Sequence, residues 1–327
     1  MTIRDDPLNR NWCDLDHDTH LQLFDGLRAA TFCFLATDKD GNHKIAGTGF
    51  LIAVGLDTGL VVTAKHVLSE GVFGIQHPHP RFARSSLFIP PSALSPSLDP
   101  KRLHAAWMGA HSALVADVIH ATYTETLDIA LCIVIPQKEE EFDAAVSIPL
   151  DASVPIEGET VYIVSQAELQ VDSEVIGEPK WSFEFSMYRR LAVRAAVVTG
   201  VHQDGYRQYK WPCFTTSAPV QAGMSGGFVF RQRADGGITA CGVVCADNST
   251  DEASNSNFIA GESVIGSTWP ILGLSLPLKF DAEGAQGTMS VYDFVKEGLI
   301  IMDVNELGRI SLSRDQDGGV QSIVRRP

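Results

Sequence analysis

The chain has 327 residues, of which 45% are hydrophobic, so it can form two average domains or one large two-lobed domain, and a disordered or fibrous protein is excluded. Forty acidic residues against 25 basic ones leave a net charge of −15, which would repel nucleic-acid phosphates and anionic lipid. The longest apolar runs are far shorter than the roughly 20 residues that cross a bilayer. We therefore expect a soluble protein that binds neither nucleic acid nor a membrane.

The first residues have neither a basic start nor an apolar stretch, so they do not resemble a secretory signal, and we expect a cytoplasmic protein. The cysteines are too sparse for a disulfide scaffold and form no C-x-x-C pair. We interpret them as buried thiols, which agrees with a reducing compartment. They are Cys13, Cys33, Cys132, Cys213, Cys241 and Cys245.

Residues 1–30 are acidic, and an apolar stripe formed by Leu21, Phe24 and Leu27 predicts a helical N-terminal extension that lies on the core. From residue 31 the pattern changes to short apolar runs separated by turn residues, which predicts β-hairpins. A proline-rich stretch at 78–100 is interpreted as a long surface loop. The predicted strands are 32–36, 47–54, 60–64, 114–120, 129–135, 160–164, 191–198, 226–230 and 238–245.

Short strands without alternating helices predict an all-β fold, a barrel or a sandwich, and their span of about 250 residues suggests two such units packed together. We place the first unit at 31–150 and the second at 151–280. A cleft between two barrels is a natural place for a functional site. The C-terminal extension, 281–327, is expected to contain a short helix at 291–299 and a final hairpin around Gly318, and either to pack on the second barrel or to mediate assembly.

A serine between glycines is the most informative chemical feature of the sequence. In the run Gly223-Met-Ser225-Gly-Gly227, the first glycine lets the backbone turn so that its own N–H and that of Ser225 can point at one spot. An ordinary turn into a strand is the alternative. The run also fits the nucleophile elbow of α/β-hydrolases, but Ser225 leads into a β-hairpin and no histidine follows His202, so the elbow is rejected.

Two further segments place a histidine and a carboxylate at the ends of predicted strands. His66 follows the strand at 60–64, where its imidazole would be held firmly enough to act as a general base; a satisfied surface histidine is the alternative. Asp128 begins an otherwise apolar strand, so its carboxylate should be partly buried and need a partner. The chain order His66, Asp128, Ser225 is that of one known serine-nucleophile arrangement.

Three motifs together resemble those of the chymotrypsin/trypsin-like serine proteases: Thr63-Ala-Lys-His66, Asp128-Ile-Ala-Leu and Gly223-Met-Ser-Gly-Gly227. The longer run from Thr216 to Gly227 is similar to that of the bacterial branch that includes the HtrA/Deg proteases. The resemblance spans about residues 31–278 and implies two packed six-stranded β-barrels. It also implies a serine endopeptidase that acts on protein or peptide substrates and needs no metal or organic cofactor.

The resemblance implies a catalytic role for three residues, with Ser225 as nucleophile, His66 as general base and Asp128 as the group that orients the histidine. It assigns the oxyanion hole to the N–H groups of Gly223 and Ser225. The residues that it implies for substrate binding are Pro219, near the base of the pocket for the residue before the cut, and Cys245, Ala246 and Asp247, on the strand that pairs with the substrate. Pro219 in that pocket favours a small or apolar substrate residue before the cut, whereas Asp247 would attract a basic one.

Departures from the family concern location and activation. Val67 stands where many secreted members have a cysteine, and Gln221 where a second disulfide would begin, which agrees with a reducing compartment. Met224 replaces the aspartate that pairs with a freshly cut N-terminus in trypsin-like zymogens. We therefore expect a constitutively formed site, or one ordered by an activating partner, a ligand or oligomerisation. No stretch after residue 278 reaches the roughly 80 to 100 residues of a PDZ module, so we expect that regulatory domain to be missing.

Three alternatives concern regions or functions that the motifs leave open. A protease-fold binding or scaffold protein could keep the three residues with the oxyanion loop collapsed. The carboxylates and histidines at 14–20 could form a weak metal site, although a solvated extension is favoured and no metal is expected. The loop at 78–100 could overhang the cleft as an exosite or lid, although a plain surface loop is favoured.

Overall fold

The computed structural model describes residues 2–5, 21–37, 43–55, 57–68, 72–75, 97–98, 103–108, 113–123, 127–137, 142, 145–175, 183–207, 209–220, 223–246, 262–279, 286–316 and 319–326. The strands before residue 140 are β1 (Thr2–Asp5), β2 (Thr31–Thr37), β3 (His43–Val54), β4 (Gly59–Thr63), β5 (Val72–Ile75), β6 (Ser97–Leu98), β7 (Leu103–Met108), β8 (Ala113–Tyr123) and β9 (Ala130–Pro136). The later strands are β10 (Thr160–Val175), β11 (Phe183–His202), β12 (Cys213–Thr216), β13 (Phe228–Gln232), β14 (Ile238–Ala246), β15 (Ser263–Ser267), β16 (Ser275–Lys279), β17 (Gln286–Ser290), β18 (Ile310–Arg314) and β19 (Val320–Arg325). The helices are α1 (Leu21–Ala30), α2 (Lys65–Leu68), α3 (Val291–Lys296) and α4 (Val304–Leu307), with a 3-10 helix at Trp269–Gly273.

The first barrel is closed by six antiparallel strands in the order β2-β3-β4-β9-β8-β7. Every residue of β9 is buried because the strand has an apolar neighbour on both faces. Cys132 and Val134 fill the barrel interior, whereas Leu131 and Ile133 pack in a core shared with the second barrel. This double burial explains why the segment is an unbroken apolar run in the sequence.

The second barrel has the strand order β11-β10-β13-β14-β15-β12 and is closed by pairing between β11 and β12. Its interior contains Phe214, Val229 and Ile265, one from each of three strands. The all-β prediction of two packed six-stranded barrels is therefore confirmed. The short strand β1 adds to the outside of β11 in parallel, which the sequence did not predict.

The predicted apolar runs all coincide with strands of the two barrels. The sequence missed β7, β12 and β15, which have only four to six residues each. Each of the three contains polar residues, such as His104 in β7, Thr215 in β12 and Ser263 in β15, so none of them is an unbroken apolar run. Most of the predicted loop at 78–100 lies outside the described residues. Among the described helices, none is long and apolar enough to cross a membrane.

Both terminal regions contribute to the packed structure. Helix α1 forms where the apolar stripe predicts it and buries Phe24 and Leu27 in the shared core. At the other end, the Arg325 Nε donates a 2.9 Å hydrogen bond to the Ala152 carbonyl oxygen. The hairpin formed by β18 and β19 thus packs on the second-barrel half of the molecule, which is one of the two roles expected for 281–327.

Phe50 on β3 tests the core between the barrels, because its ring lies 5.1 Å from that of Phe228 on β13. We expect Phe50→Ala to lower the free energy of unfolding by about 3–5 kcal/mol, since the truncation leaves a cavity between two closed barrels. Urea titration monitored by fluorescence measures the change. Val54→Ala, at a 41% exposed position of the same strand, is the control and should cost less than about 0.5 kcal/mol. Equal effects of the two variants would contradict a shared core.

Candidate active site

His66 and Asp128 are brought together by the ends of two paired strands. Strand β4 ends at Thr63, and helix α2 follows at once and carries His66. Asp128 precedes β9, whose first residue, Ala130, pairs with Thr63. The strand pairing therefore places the two side chains beside each other at one end of the first barrel.

The Asp128 carboxylate holds His66 through both of its oxygens. Oδ2 lies 2.8 Å from Nδ1 of the imidazole, and Oδ1 accepts a 3.0 Å hydrogen bond from the His66 backbone N–H. With a carboxylate as acceptor, the neutral ring carries its hydrogen on Nδ1 and a lone pair on Nε2. The Asp128 side chain is 15% exposed and that of His66 46%, so solvent reaches the imidazole while its partner is sheltered.

Ser225 lies in the turn that leads into β13, and this turn packs against the first barrel. A side chain at Gly226 would place its Cβ 2.0 Å from the Thr48 carbonyl oxygen and 2.9 Å from the Ala64 nitrogen. Only glycine permits an approach this close. Since Ala64 comes two residues before His66, the contact brings the turn at 223–227, here called the serine turn, to the strand end that carries the histidine.

The carbonyl groups of the serine turn point to defined partners. The Gly223 carbonyl oxygen accepts a 2.8 Å hydrogen bond from the Thr48 hydroxyl, and the Met224 oxygen a 3.0 Å bond from the Gly227 N–H. The Ser225 oxygen accepts a 2.7 Å bond from the Thr48 N–H. In a trans peptide the N–H points opposite to the carbonyl of the same unit. The Ser225 N–H is therefore directed away from the bond between Met224 and Gly227.

Gly223 itself adopts φ of +86°, a left-handed conformation that residues with side chains rarely adopt. A Cβ there would meet nothing nearer than Ile45 at 3.4 Å and the Gln166 carbonyl oxygen at 3.6 Å. The glycine is thus required by the backbone conformation rather than by lack of space, which agrees with the turn that the sequence predicts at this position.

The residues predicted to bind substrate fall in different surroundings. Cys245 is only 3% exposed, and its thiol donates a 3.4 Å hydrogen bond to the Asp128 carbonyl oxygen, so its side chain faces the aspartate rather than the cleft. Burial raises the pKa of the Cys245 thiol well above its usual range, and the Asp128 charge raises it further, so the thiol is neutral. Pro219 is exposed, and Ala246 pairs with Val264 at the end of β14. Asp247 lies outside the described residues.

Two residues beside the serine turn were not identified from the sequence. Thr48 is fully buried and bonds the turn through its backbone N–H and its hydroxyl. The backbone N–H of Gln166 donates a 3.0 Å hydrogen bond to that hydroxyl. The glycine at 47 was a usable signal of a close backbone contact beside Thr48, since a Cβ there would lie 2.7 Å from the Ser225 carbonyl oxygen. The sequence alone does not show which part of the chain makes that contact.

Metal ligands do not cluster in the part of the chain that the structure describes: it contains no group of three His, Cys, Asp or Glu side chains that could hold an ion. The acidic and histidine-rich segment at 14–20, weighed as a weak metal site, lies outside the described residues.

Comparison with known proteins gives one family match. The model of the trypsin-like peptidase domain matches residues 47–240, more than half of the chain, and this range includes His66, Asp128 and Ser225. No curated protein matches the chain significantly. Among solved structures, that of GrC is 14% identical with a TM-score of 0.41 and covers 74% of this chain and 90% of its own. The protease Anisep from Arthrobacter nicotinovorans is 11% identical with a TM-score of 0.38 and covers 73% and 90%.

Gly226 allows a test of how closely the serine turn packs on the first barrel. Gly226 and Gly236 have φ of +85° and +82°, so alanine meets the same backbone strain of about 1–2 kcal/mol at either position. A Cβ at Gly236 meets nothing within 4 Å, whereas at Gly226 it meets backbone atoms. We expect Gly226→Ala to lower the free energy of unfolding by about 1–3 kcal/mol more than Gly236→Ala in urea titrations. Equal losses would show that the turn is not packed in this way.

Proposed function

Because the chain belongs to the trypsin-like peptidase family, we propose that it is a serine endopeptidase that uses His66, Asp128 and Ser225. The observation that carries this proposal is the hold of the Asp128 carboxylate on both the imidazole and the backbone of His66. A histidine fixed at two points, on the strand end against which the serine turn packs, has the orientation that a general base requires. The family implies protein substrates.

In the proposed reaction, the Ser225 hydroxyl attacks the scissile carbonyl and its proton passes to Nε2 of His66. Asp128 stabilises the imidazolium that forms. The histidine then gives the proton to the leaving amine, and water hydrolyses the acyl-enzyme by the same route. The chemistry needs no metal or organic cofactor.

We propose that the N–H groups of Gly223 and Ser225 bind the oxyanion. The support is the orientation of the turn, in which the Met224 carbonyl bonds Gly227 and the Ser225 N–H points the other way. Loss of one such donor elsewhere costs about 2.7–4 kcal/mol of transition-state stabilisation. Two converging backbone donors would therefore supply a large part of the rate.

We also propose a place for the protein among intracellular bacterial proteases of the HtrA/Deg-like branch, on the strength of its Thr216 to Gly227 run. A reducing cytoplasm is supported by the described cysteines, which are buried thiols. Regulation by a partner or ligand is supported by Met224, which is buried in the second barrel and presents no carboxylate to a newly cut N-terminus. The family resemblance implies that Pro219 lies near the base of the pocket, and on that basis we propose a preference for a small or apolar residue before the cut.

A fluorophosphonate probe, which reacts only with an activated serine, tests the nucleophile. We expect the wild type to gain the mass of one adduct, and Ser225→Ala and His66→Ala to gain none, because the first lacks the attacking oxygen and the second the base. Intact-mass spectrometry is the measurement, and the adduct is located by peptide mapping. His202→Ala, a histidine of the second barrel that stacks on Tyr206, is the control and should react like the wild type.

The same measurement separates the enzyme from a binding protein with a silent site. A folded wild type that gains no adduct, and that still gains none after incubation with lysate fractions that could supply a partner, would contradict the proposed enzyme and support the scaffold alternative. An adduct on a residue other than Ser225 would contradict the assignment of the nucleophile.

Asp128→Asn tests the carboxylate separately from the base. The amide cannot hold the Nδ1–H tautomer as the carboxylate does, so we expect the fluorophosphonate reaction to slow by about 10⁴-fold. Asp117→Asn is a matched control, since Asp117 also lies beside a histidine, with its Oδ1 3.6 Å from Nδ1 of His104. Stopped-flow or quenched labelling gives both rates. If the control slowed as much as Asp128→Asn, the loss would reflect general damage to the first barrel.

A further inference from the structure

Thr48 on β3 of the first barrel bonds the serine turn of the second barrel through two atoms. Its backbone N–H donates to the Ser225 carbonyl oxygen at 2.7 Å, and its hydroxyl donates to the Gly223 carbonyl oxygen at 2.8 Å. The residue is fully buried, so water does not compete for either bond. The hydroxyl bond joins residues that are 175 positions apart in the chain.

The direction of the Thr48 hydroxyl is fixed by its other neighbours. The Gln166 N–H donates a 3.0 Å hydrogen bond to Oγ1, so the hydroxyl's own hydrogen is left for the Gly223 carbonyl. The Thr63 hydroxyl donates a 2.6 Å bond to the Thr48 carbonyl oxygen and holds the backbone of β3 against β4. Thr48 is thus anchored on both sides before it reaches the turn.

The two carbonyls that Thr48 binds belong to the peptide units on either side of the unit that joins Met224 to Ser225. The N–H of that middle unit is the Ser225 donor of the proposed oxyanion hole. Holding both neighbouring units limits rotation of the middle one, because each peptide plane turns only about the Cα atoms it shares with its neighbours. The orientation of the donor therefore depends on Thr48 as well as on the bond between the Met224 carbonyl and the Gly227 N–H.

Packing alone does not hold Gly223 as it holds Gly226. A Cβ at Gly226 would lie 2.0 Å from backbone, whereas at Gly223 the nearest atom would be 3.4 Å away, at the end of the Ile45 side chain. Glycine also has the widest choice of backbone conformations. The Thr48 hydroxyl is a contact that favours the observed conformation at Gly223.

We propose that Thr48 is a positioning residue that keeps the serine turn in the geometry of an oxyanion hole. The inference rests on the proposed function, and it assigns to one threonine of the first barrel the control of backbone donors in the second. Thr48 acts through Gly223 and Ser225 and does not itself contact the substrate. Its loss should slow the chemical step and leave the binding of a ligand in the cleft unchanged.

Saturation kinetics with a fluorophosphonate probe separate these two effects, since they give the limiting rate of inactivation, kinact, and the half-saturating concentration, KI. We expect Thr48→Val, which removes the hydroxyl and keeps the backbone N–H, to lower kinact by about 10- to 100-fold with KI unchanged. Thr48→Ser keeps the hydroxyl and should restore kinact to near the wild-type value. Thr31→Val removes another buried hydroxyl of the first barrel, one that donates to the Leu27 carbonyl of α1, and it should react like the wild type.

The outcomes distinguish this inference from the proposed function. An unlabelled wild type contradicts the proposed function, and the inference falls with it. A labelled wild type with an unchanged kinact in Thr48→Val overturns the inference alone, as does a Thr48→Ser variant as slow as Thr48→Val. Melting temperatures identify unfolded variants. If Thr48→Val does not fold, Thr48→Ala takes its place, since it removes the hydroxyl without a new methyl group, and an unchanged kinact in Thr48→Ala likewise overturns the inference.

Discussion

The contact between β3 and the serine turn is the constraint on which the site depends. The Thr48 N–H bonds the Ser225 carbonyl, and Gly226 lies so close to the Thr48 carbonyl that no side chain fits between them. His66 belongs to the first barrel and Ser225 to the second. Two groups on separate barrels can react together only if the barrels do not slide past each other. Contacts between backbone atoms prevent that movement because they cannot adjust by a change of rotamer.

The core behind this contact supplies the rest of the rigidity. A single hydrophobic cluster includes Leu131 of the first barrel, Phe228 of the second, Leu27 of α1 and Ile310 of the C-terminal hairpin. Interiors packed in this way transmit strain rather than absorb it. The terminal segments outside the barrels therefore belong to the same packed core that joins the two halves of the proposed site.

Much of the fold could be predicted from the sequence because local patterns determine it. The run at 129–135 is apolar throughout since both faces of β9 are buried, and this double burial is typical of a strand between two cores. The glycines of the serine turn could be recognised because backbone conformation and close packing require them. His66 and Asp128 could be paired through the family resemblance, although the pairing of β4 with β9 is not visible in either segment.

Features set by contacts between distant segments could not be predicted. Nothing near Thr48 in the sequence shows that its hydroxyl meets a carbonyl in the other barrel. Cys245 shows a different difficulty, since β14 is buried on both faces, with Val244 in the interior of the second barrel and Val243 and Cys245 in the core shared by the two barrels. The sequence does not show which of the two buried faces meets Asp128, and the thiol lies on the face that does.

The neutral thiol behind Asp128 has a consequence for the charge of the site. A thiolate there would put a second negative charge beside a sheltered carboxylate, and burial and the Asp128 charge both raise the thiol pKa against it. The thiol donates to the Asp128 backbone carbonyl, whereas the carboxylate oxygens are directed at His66. The negative charge of Asp128 thus lies beside the imidazole, and in the proposed reaction it stabilises the imidazolium when the proton arrives.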